Sequence, residues 1–480
     1  MRILLINPPC RTPSMIPLGL GYVASVLRKS GHDITLKDYN VEKKDFIQIG
    51  DDLDRAEYDV LGIGGLTTTY GFVKKVSDIS KRLRPKAPVI AGNMVSTAYP
   101  ELLLSNSSVD ICVIDEAEIT IQDLMACISN GLDLSKVRGI VYRAGEKFVR
   151  TPYRERIKDL DAIPFPAWDL FSMETYIRHP IHNEYGKRSI NVSTVRGCPF
   201  QCVYCSRPFG SRVVIRSIEG VVNEIKTLKK RYDVSFVGFS DDLFILNRKW
   251  VESLCRAFID ERVDIKWGAS ARVNLIDPLQ LKLMYRAGCR NLSYGFESGS
   301  QRILNDMKKG VKVEQAVKAV EYTRKAGITV EGSFMIGMFE ENEESVNETV
   351  SFIKRTGLPI YRFFNVTPYP GTYLYNEAKK KGIIPRDEDK YVESLGEMYH
   401  TMAVNLTSMS DDELRRLKST AERKIVENFS MRARTYLMLD EMRRYAYVAR
   451  GALVSMGFFG GLRFILGKIW KRIGRRRKIS

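Results

Sequence analysis

The sequence predicts an α/β protein made of two units in series. These are a doubly wound, Rossmann-like parallel sheet over residues 1–140 and a partial (β/α)6 barrel over residues 188–400. Three observations predict it. Short apolar runs alternate with amphipathic helical patterns up to about residue 140, the rhythm of parallel strands joined by crossover helices. That rhythm stops at a connector, residues 141–187, and then resumes for six strand–helix units. Polar residues or cysteines stand just past the strands of the second run, where barrels of parallel strands keep their chemistry. A helical region, residues 401–450, and a basic tail, residues 451–480, complete the chain.

In the first unit, strands read at Arg2–Asn7, His32–Asp38, Val60–Gly64, Val89–Ala91 and Asp110–Ile114, with helices at Leu18–Lys29, Phe72–Leu83 and Ile119–Asn130. Small residues gather at the carboxyl ends of these strands: Gly64-Gly65-Leu-Thr67-Thr-Thr69, Gly92-Asn-Met-Val-Ser96-Thr97 and Asp115-Glu116-Ala-Glu118. They let backbone approach a large flat ligand or its phosphate tail, in the crevice where such sheets bind. In the connector, Gly139–Arg150 reads as a hairpin-like piece, and the prolines of Asp161-Ala-Ile-Pro-Phe-Pro-Ala-Trp-Asp-Leu170 make an extended strap. The second unit has strands at Ile190–Thr194, Ser235–Phe239, Lys266–Ser270, Asn291–Phe296, Thr329–Ile336 and Ile360–Phe364. Six units make a barrel open on one side.

Composition narrows the class. With 44% hydrophobic residues the chain can bury large cores. Its eight cysteines, three clustered and five scattered, do not resemble a disulfide framework, and a reducing cytoplasm is the expected compartment. The apolar start is broken by Pro8 too early for a signal peptide. The longest late apolar run, Gly451–Leu462, ends at Arg463 short of a membrane span. Of the net charge of +18, residues 451–480 supply eight Lys or Arg and no acidic residue.

The run Arg196-Gly-Cys-Pro-Phe-Gln-Cys-Val-Tyr-Cys205 carries the chemistry. Cys198, Cys202 and Cys205 supply three thiolates, whereas a fully protein-bound 4Fe–4S cluster takes four cysteines. One iron is then left open for a substrate or cofactor, the mark of a catalytic rather than a structural centre. The alternative is zinc, which needs a fourth donor; the closest histidines, His179 and His182, lie upstream in a proline-flanked stretch. Cys10, Cys112, Cys127, Cys255 and Cys289 read as core or packing residues, with Cys10 in the loop after the first strand.

The triplet, the aromatic Tyr204 before its last cysteine and the strand leading into it resemble the radical S-adenosylmethionine superfamily. The resemblance implies that S-adenosylmethionine chelates the open iron and is cleaved to a 5′-deoxyadenosyl radical that takes hydrogen from a substrate. It implies a binding set of Arg272 for the carboxylate, Glu297 with Ser298 for the amine or ribose, the segment Gly332-Ser-Phe-Met-Ile-Gly337 and Tyr204 for adenine, and Asp241 at the second strand end. A structural ion pair across the barrel mouth is the alternative for Arg272 and Glu297; helix capping or solvation is the alternative for Asp241 and Asp242. Pro17-Leu-Gly19-Leu-Gly-Tyr22, the Gly92–Thr97 turn and Glu116-x-Glu118 resemble the cobalamin-binding domain of one large subgroup. Its implied contacts are Gly19, Gly64, Thr67, Gly92, Ser96 and Glu116. The chain departs from that pattern in having no Asp-x-His-x-x-Gly; the domain's only histidine, His32, precedes a strand. Bound cobalamin would then lack a histidine on its lower face, and a domain that has lost cobalamin is the other reading.

In the tail, Leu462, Ile465, Leu466, Ile469 and Ile473 recur at helical spacing among Arg463, Lys468, Lys471 and Arg472, with Phe458, Phe459, Phe464 and Trp470 nearby. This reads as an in-plane anchor on the inner face of a membrane, against a nucleic-acid-binding tail or a helix docked on the protein itself. A membrane position suggests a hydrophobic substrate: an isoprenoid, hopanoid, tetrapyrrole or fatty-acyl lipid. The leading expectation is therefore an oxygen-sensitive radical enzyme that methylates carbon from methylcobalamin, with reduced flavodoxin or ferredoxin as electron donor. The alternatives are radical cyclisation, ring rearrangement or carbon–carbon coupling without methyl transfer and, in another class, a non-catalytic iron–sulfur sensor or membrane scaffold. Methylthiolation of tRNA fits poorly, because the first unit has no second patterned set of cysteines.

Overall fold

The computed structural model describes residues 1–10, 15–178, 188–358, 360–395 and 402–427. In the first sheet, β1 (Arg2–Asn7), β2 (Asp33–Asp38), β3 (Val60–Gly64), β4 (Val89–Gly92) and β5 (Ile111–Val113) run parallel in the order β2-β1-β3-β4-β5. The apolar run Ile3–Ile6 is buried throughout, because helices cover both faces of this sheet. The hairpin assigned to the connector belongs here instead. β6 (Ile140–Ala144) and β7 (Lys147–Arg150) extend the sheet antiparallel beyond β5, where Ile140 and Val141 complete the core. A helix at Phe46–Arg55 was not foreseen. It begins with a capping box of Asp45 and Gln48, but only Ile49 and Leu53 are buried, too short a stripe to register as periodic.

The six barrel strands are present and all parallel. β8 (Ser189–Val192), β11 (Phe236–Phe239), β12 (Lys266–Ala271), β13 (Cys289–Glu297), β14 (Thr329–Ile336) and β15 (Ile360–Asn365) lie side by side in chain order, so the sheet ends at β8 and β15 as a half-barrel. Outward residues such as Val237, Trp267, Tyr294, Phe296 and Phe334 pack into the helices. The residues between them, including Gly238, Gly268, Ser293, Gly295 and Ser333, are small, which leaves the inner face room for ligand. Between β8 and β11, β9 (Val195–Arg196) and β10 (Val214–Ile215) form a separate two-stranded antiparallel pair.

Loops at the carboxyl ends of the two sheets meet. Ile16, after β1, exchanges two hydrogen bonds with Asn191 of β8, at 2.9 and 3.0 Å. Ala98, after β4, packs on Gly371, after β15. The segment after the barrel returns to the first unit, where Asp389 accepts from Lys74 and Tyr70, each at 2.6 Å. The strap locks against the helix Leu18–Lys29: Ala167 N donates to Gly21 O at 3.0 Å, and a Cβ on Gly21 would stand 2.9 Å from Pro166. The helix Asp411–Val426 opens with a capping box of Ser410 and Glu413 and packs on the helix Glu343–Thr356. The tail and its amphipathic stripe lie outside the described residues, as do His179 and His182. Among the described residues no helix is long and apolar enough to cross a membrane.

Candidate active site

The three cysteines occupy a loop, residues 197–213, whose two ends are joined by the β9–β10 pair. Gly197 begins it at φ +92°, and an added Cβ would lie 2.0 Å from the Arg212 carbonyl, so only glycine fits. The loop is fastened by backbone bonds: Cys198 N to Gly210 O, Val203 N to Met307 O and Leu374 N to Val203 O, all within 2.9–3.1 Å. All eight cysteines are free thiols. Burial raises the Cys205 thiol, and the neighbouring Cys202 and Cys198 raise it further. Among the described residues no three metal-ligating side chains are already grouped to hold an ion, but the three thiols share one loop, where a cationic iron core would relieve the repulsion that raises Cys205.

Arg272 stands at the end of β12, 7% exposed, with Nη1 3.7 Å from Cys202 Sγ and Nε donating to Asn274 at 3.0 Å. Its guanidinium carbon lies 3.7 Å from the centre of the Phe200 ring. Nη2 is buried with no hydrogen-bond partner. A buried, unpaired cationic donor beside the thiol triplet fits the carboxylate of S-adenosylmethionine. The structural ion pair considered for Arg272 is therefore absent among the described residues.

For Glu297 that pair exists. Lys309 Nζ donates to Glu297 Oε1 at 2.7 Å and to Tyr204 Oη at 3.1 Å, while Tyr204 Oη donates to Glu297 Oε1 at 3.0 Å. Burial and the Glu297 charge push the Tyr204 phenol up, so it stays a donor. Glu297 sits at φ +65°, where the β13–β14 register shifts, and is held in that strained backbone by the triangle. Lys309 escaped sequence reading because it follows β13 by a whole helix and carries no motif of its own.

Several of the residues expected as contacts are hydrogen-bonded within the protein. Asp241 is fully committed, accepting from Thr194 N and Oγ1, each at 2.5 Å, from Val195 N at 2.9 Å and from Ser193 Oγ at 3.2 Å. It clamps the chain leading into the cysteine loop, and Asp242 assists by accepting from Gly197 N at 2.9 Å. Helix capping falls instead to Asn247, which accepts from Trp250 N. Ser298 faces the helix Glu343–Thr356, 3.1 Å from Thr349 Oγ1, because Gly299 packs directly on that helix. The space left by Gly332 is taken by the Phe296 ring at 3.0 Å on the outer face. Gly337, at φ +108°, keeps its surroundings open to 3.6 Å.

The expected cobalamin contacts divide in the same way. A Cβ on Gly19 or Gly92 would meet nothing within 4 Å, and one on Gly64 only Leu20 at 3.6 Å, so the backbone is open at the carboxyl ends of the central strands β3 and β4 and at the start of the helix Leu18–Lys29. Leu66, half exposed just past β3, adds apolar surface that the sequence motifs did not single out. Thr67 is buried, and Ser96 is fully buried, donating to Val113 O at 2.6 Å to tie two strand ends together. Both carboxylate oxygens of Glu116 are engaged within the protein: Oε1 accepts from Arg196 at 2.9 Å and Oε2 from Ile157 N at 2.9 Å.

A half-barrel carrying a three-cysteine loop, faced by a parallel sheet with open strand ends, defines a class of cluster-bearing enzyme that works between two domains. Comparison with known proteins makes the class definite. Residues 192–353 match the radical SAM superfamily and residues 10–125 match the B12 binding domain. An uncharacterized methyltransferase of Pyrococcus horikoshii is 34% identical over 79% of this chain and 83% of its own length. The anaerobic magnesium-protoporphyrin IX monomethyl ester cyclase of Rubrivivax gelatinosus is 28% identical over 79% and 70%. The fold resembles that of the radical S-adenosylmethionine methyltransferase TsrM from Kitasatospora setae, solved with cobalamin and a [4Fe-4S] cluster bound (TM-score 0.69, 20% identity, covering 80% of this chain and 79% of that one). The chain belongs to the radical SAM superfamily, in the branch of cobalamin-dependent methyltransferases and cyclases that carry a B12 binding domain ahead of the barrel. It is an enzyme, and the sensor or scaffold reading falls away.

Proposed function

We propose that this enzyme cleaves S-adenosylmethionine on a 4Fe–4S cluster held by Cys198, Cys202 and Cys205, and methylates an unactivated carbon of a lipid-like substrate from methylcobalamin. The cofactors supply the radical and the methyl group; the chain's work is to bind, aim and shield. The observation that carries the reading is the unpartnered Arg272 Nη2, buried beside the thiol triplet at the carboxyl end of β12. There it takes the carboxylate of S-adenosylmethionine, while the Glu297 carboxylate, held by Lys309 and Tyr204, accepts from its amine or ribose. Gly19, Gly64 and Gly92 let cobalamin lie close to the carboxyl ends of the first sheet's strands, and the loops that join the two sheets screen the space between them from water. The basic amphipathic tail supports a membrane-derived substrate and attachment to the cytoplasmic face of a membrane. Reduced flavodoxin or ferredoxin serves as the electron source.

The test is anaerobic. Iron-reconstituted protein is incubated with cobalamin, reductant, S-adenosylmethionine and a membrane-lipid extract. S-adenosylhomocysteine and 5′-deoxyadenosine rising together with lipid is the expected result. Deoxyadenosine alone would replace methyl transfer by cyclisation or coupling. No response to lipid would overturn the substrate class, and deoxyadenosine formation by Cys202→Ala would overturn the cluster assignment.

A further inference from the structure

The cysteine loop hangs from a neck of two residue pairs, Val195 with Ile215 and Arg196 with Val214. So short a two-stranded pair has no independent stability. Besides the clamp of Asp241 and Asp242, two buried arginines hold it, one at the end of each strand. Arg196, 5% exposed, donates from Nη1 to Glu116 Oε1 at 2.9 Å and from Nη2 to Glu118 Oε1 at 2.6 Å. Glu116 lies in the turn after β5 of the B12 binding domain and Glu118 opens the helix Glu118–Ser129 that follows; they are themselves 8% and 4% exposed. The guanidinium lies between two rings, with Tyr22 of the first unit at 5.3 Å and Phe209 of the cysteine loop at 5.0 Å. Glu116 also receives Ile157 N from the connector. On the other strand, Arg216 pairs with Glu224 and with Asp161 of the strap, and Asp161 in turn accepts from Ser217 N at 2.6 Å.

A buried network of this kind is a poor source of net stability compared with apolar packing. It excels at specifying one register, since a forked guanidinium between two carboxylates tolerates little displacement. The arginine lies two residues before the first cluster cysteine, and its partners lie on the domain that holds the methyl carrier. A shift of the B12 binding domain is therefore passed directly to the neck of the cysteine loop by Arg196, beside a second bridge in which Arg156 pairs with Asp115 and donates to Pro208 O.

We propose that Arg196, clasped by Glu116 and Glu118, is a positioning residue that sets the cysteine loop in register with the B12 binding domain and so couples S-adenosylmethionine cleavage to methyl transfer. This rests on the function proposed above, and the experiment separates the two. Wild type, Arg196→Lys and Glu118→Gln are reconstituted with iron, sulfide and cobalamin under anaerobic conditions. Iron and cobalamin content are measured first. Pulsed electron paramagnetic resonance then reads the coupling of cob(II)alamin to the dithionite-reduced cluster, and the ratio of S-adenosylhomocysteine to 5′-deoxyadenosine is followed with S-adenosylmethionine and lipid extract. A lysine keeps the charge but cannot fork between two carboxylates. The expected result is near-normal iron and cobalamin content, a broadened spin–spin distance and a ratio lowered about tenfold or more, the scale expected of a displacement near 1 Å. The milder Glu118→Gln, which keeps one anchor, shifts in the same direction by less. Unchanged distance and ratio in both variants overturn the proposal, as does joint loss of iron and cobalamin in both, which would mean a structural role only. If wild type itself binds no cobalamin or cleaves no S-adenosylmethionine, it is the function proposed above that fails.

Discussion

At Arg272 a cationic nitrogen is buried without a partner while the rest of the same guanidinium touches Asn274, Phe200 and Cys202. A hydrogen bond to a charged group is worth about 1.5–3 kcal/mol, so Arg272→Met is expected to raise the KM for S-adenosylmethionine about tenfold to a hundredfold. Initial rates of deoxyadenosine formation check this, and an unchanged KM would assign Nη2 another partner. Asp241 makes a prediction of opposite character. Burial pushes its carboxyl up to about 6 in spite of the bonds from Thr194 and Val195. The folded state therefore binds a proton more tightly than the unfolded chain, and Asp241 favours the fold most below its unfolded value near 4. That contribution is lost as pH rises from about 4 through about 6. Asp241→Asn, which cannot ionise, is expected to flatten the fall in stability across that window, measured as the denaturant midpoint at a series of pH values. Parallel wild-type and variant curves would contradict it.

At the scale of the element, the cysteine loop depends on glycine geometry as much as on its thiols. Gly197→Ala places a methyl group on the Arg212 carbonyl and forces a positive φ on alanine. Iron incorporation is expected to fall severalfold with little change in circular dichroism, because the β8–β15 sheet does not depend on that turn. Full iron content in the variant would show that the neck can rearrange. Elements were legible where burial is periodic. All six barrel strands stand within a few residues of their expected places, and the five parallel strands of the first sheet likewise. The hairpin β6–β7 was seen as a hairpin but not as part of the sheet. Local pattern shows that two strands pair with each other; it does not show which edge they join.

At the scale of the molecule, two strand-end regions that sequence reading treated separately are brought together by contacts at Ile16–Asn191, Ala98–Gly371 and Glu116/Glu118–Arg196. The membrane reading rests on the basic residues of the tail. At about 1 kcal/mol per basic residue near an anionic surface, reversing Arg475, Arg476 and Arg477 to Glu should weaken binding to anionic vesicles about a hundredfold or more. Deoxyadenosine formation in detergent is expected to remain unchanged. Sedimentation with vesicles of phosphatidylglycerol and phosphatidylcholine measures the first effect; equal binding by both proteins would remove the membrane reading.

By itself the sequence determined the class of fold and offered Cys198, Cys202, Cys205 and Arg272 as candidates for the cluster and the cofactor carboxylate, because each depends on local information: periodicity of burial, the spacing of cysteines, or a polar residue at a strand end. The tertiary structure alone decided what each polar group is spent on. Asp241, Ser96, Ser298 and Glu116 look like ligand contacts in a linear reading, and each is consumed by a partner between 17 and 80 residues away. Lys309 and Arg196 became visible only through such partners. A buried polar side chain must be satisfied by whatever the fold brings beside it, and that neighbour is set by packing between distant segments rather than by the residues on either side.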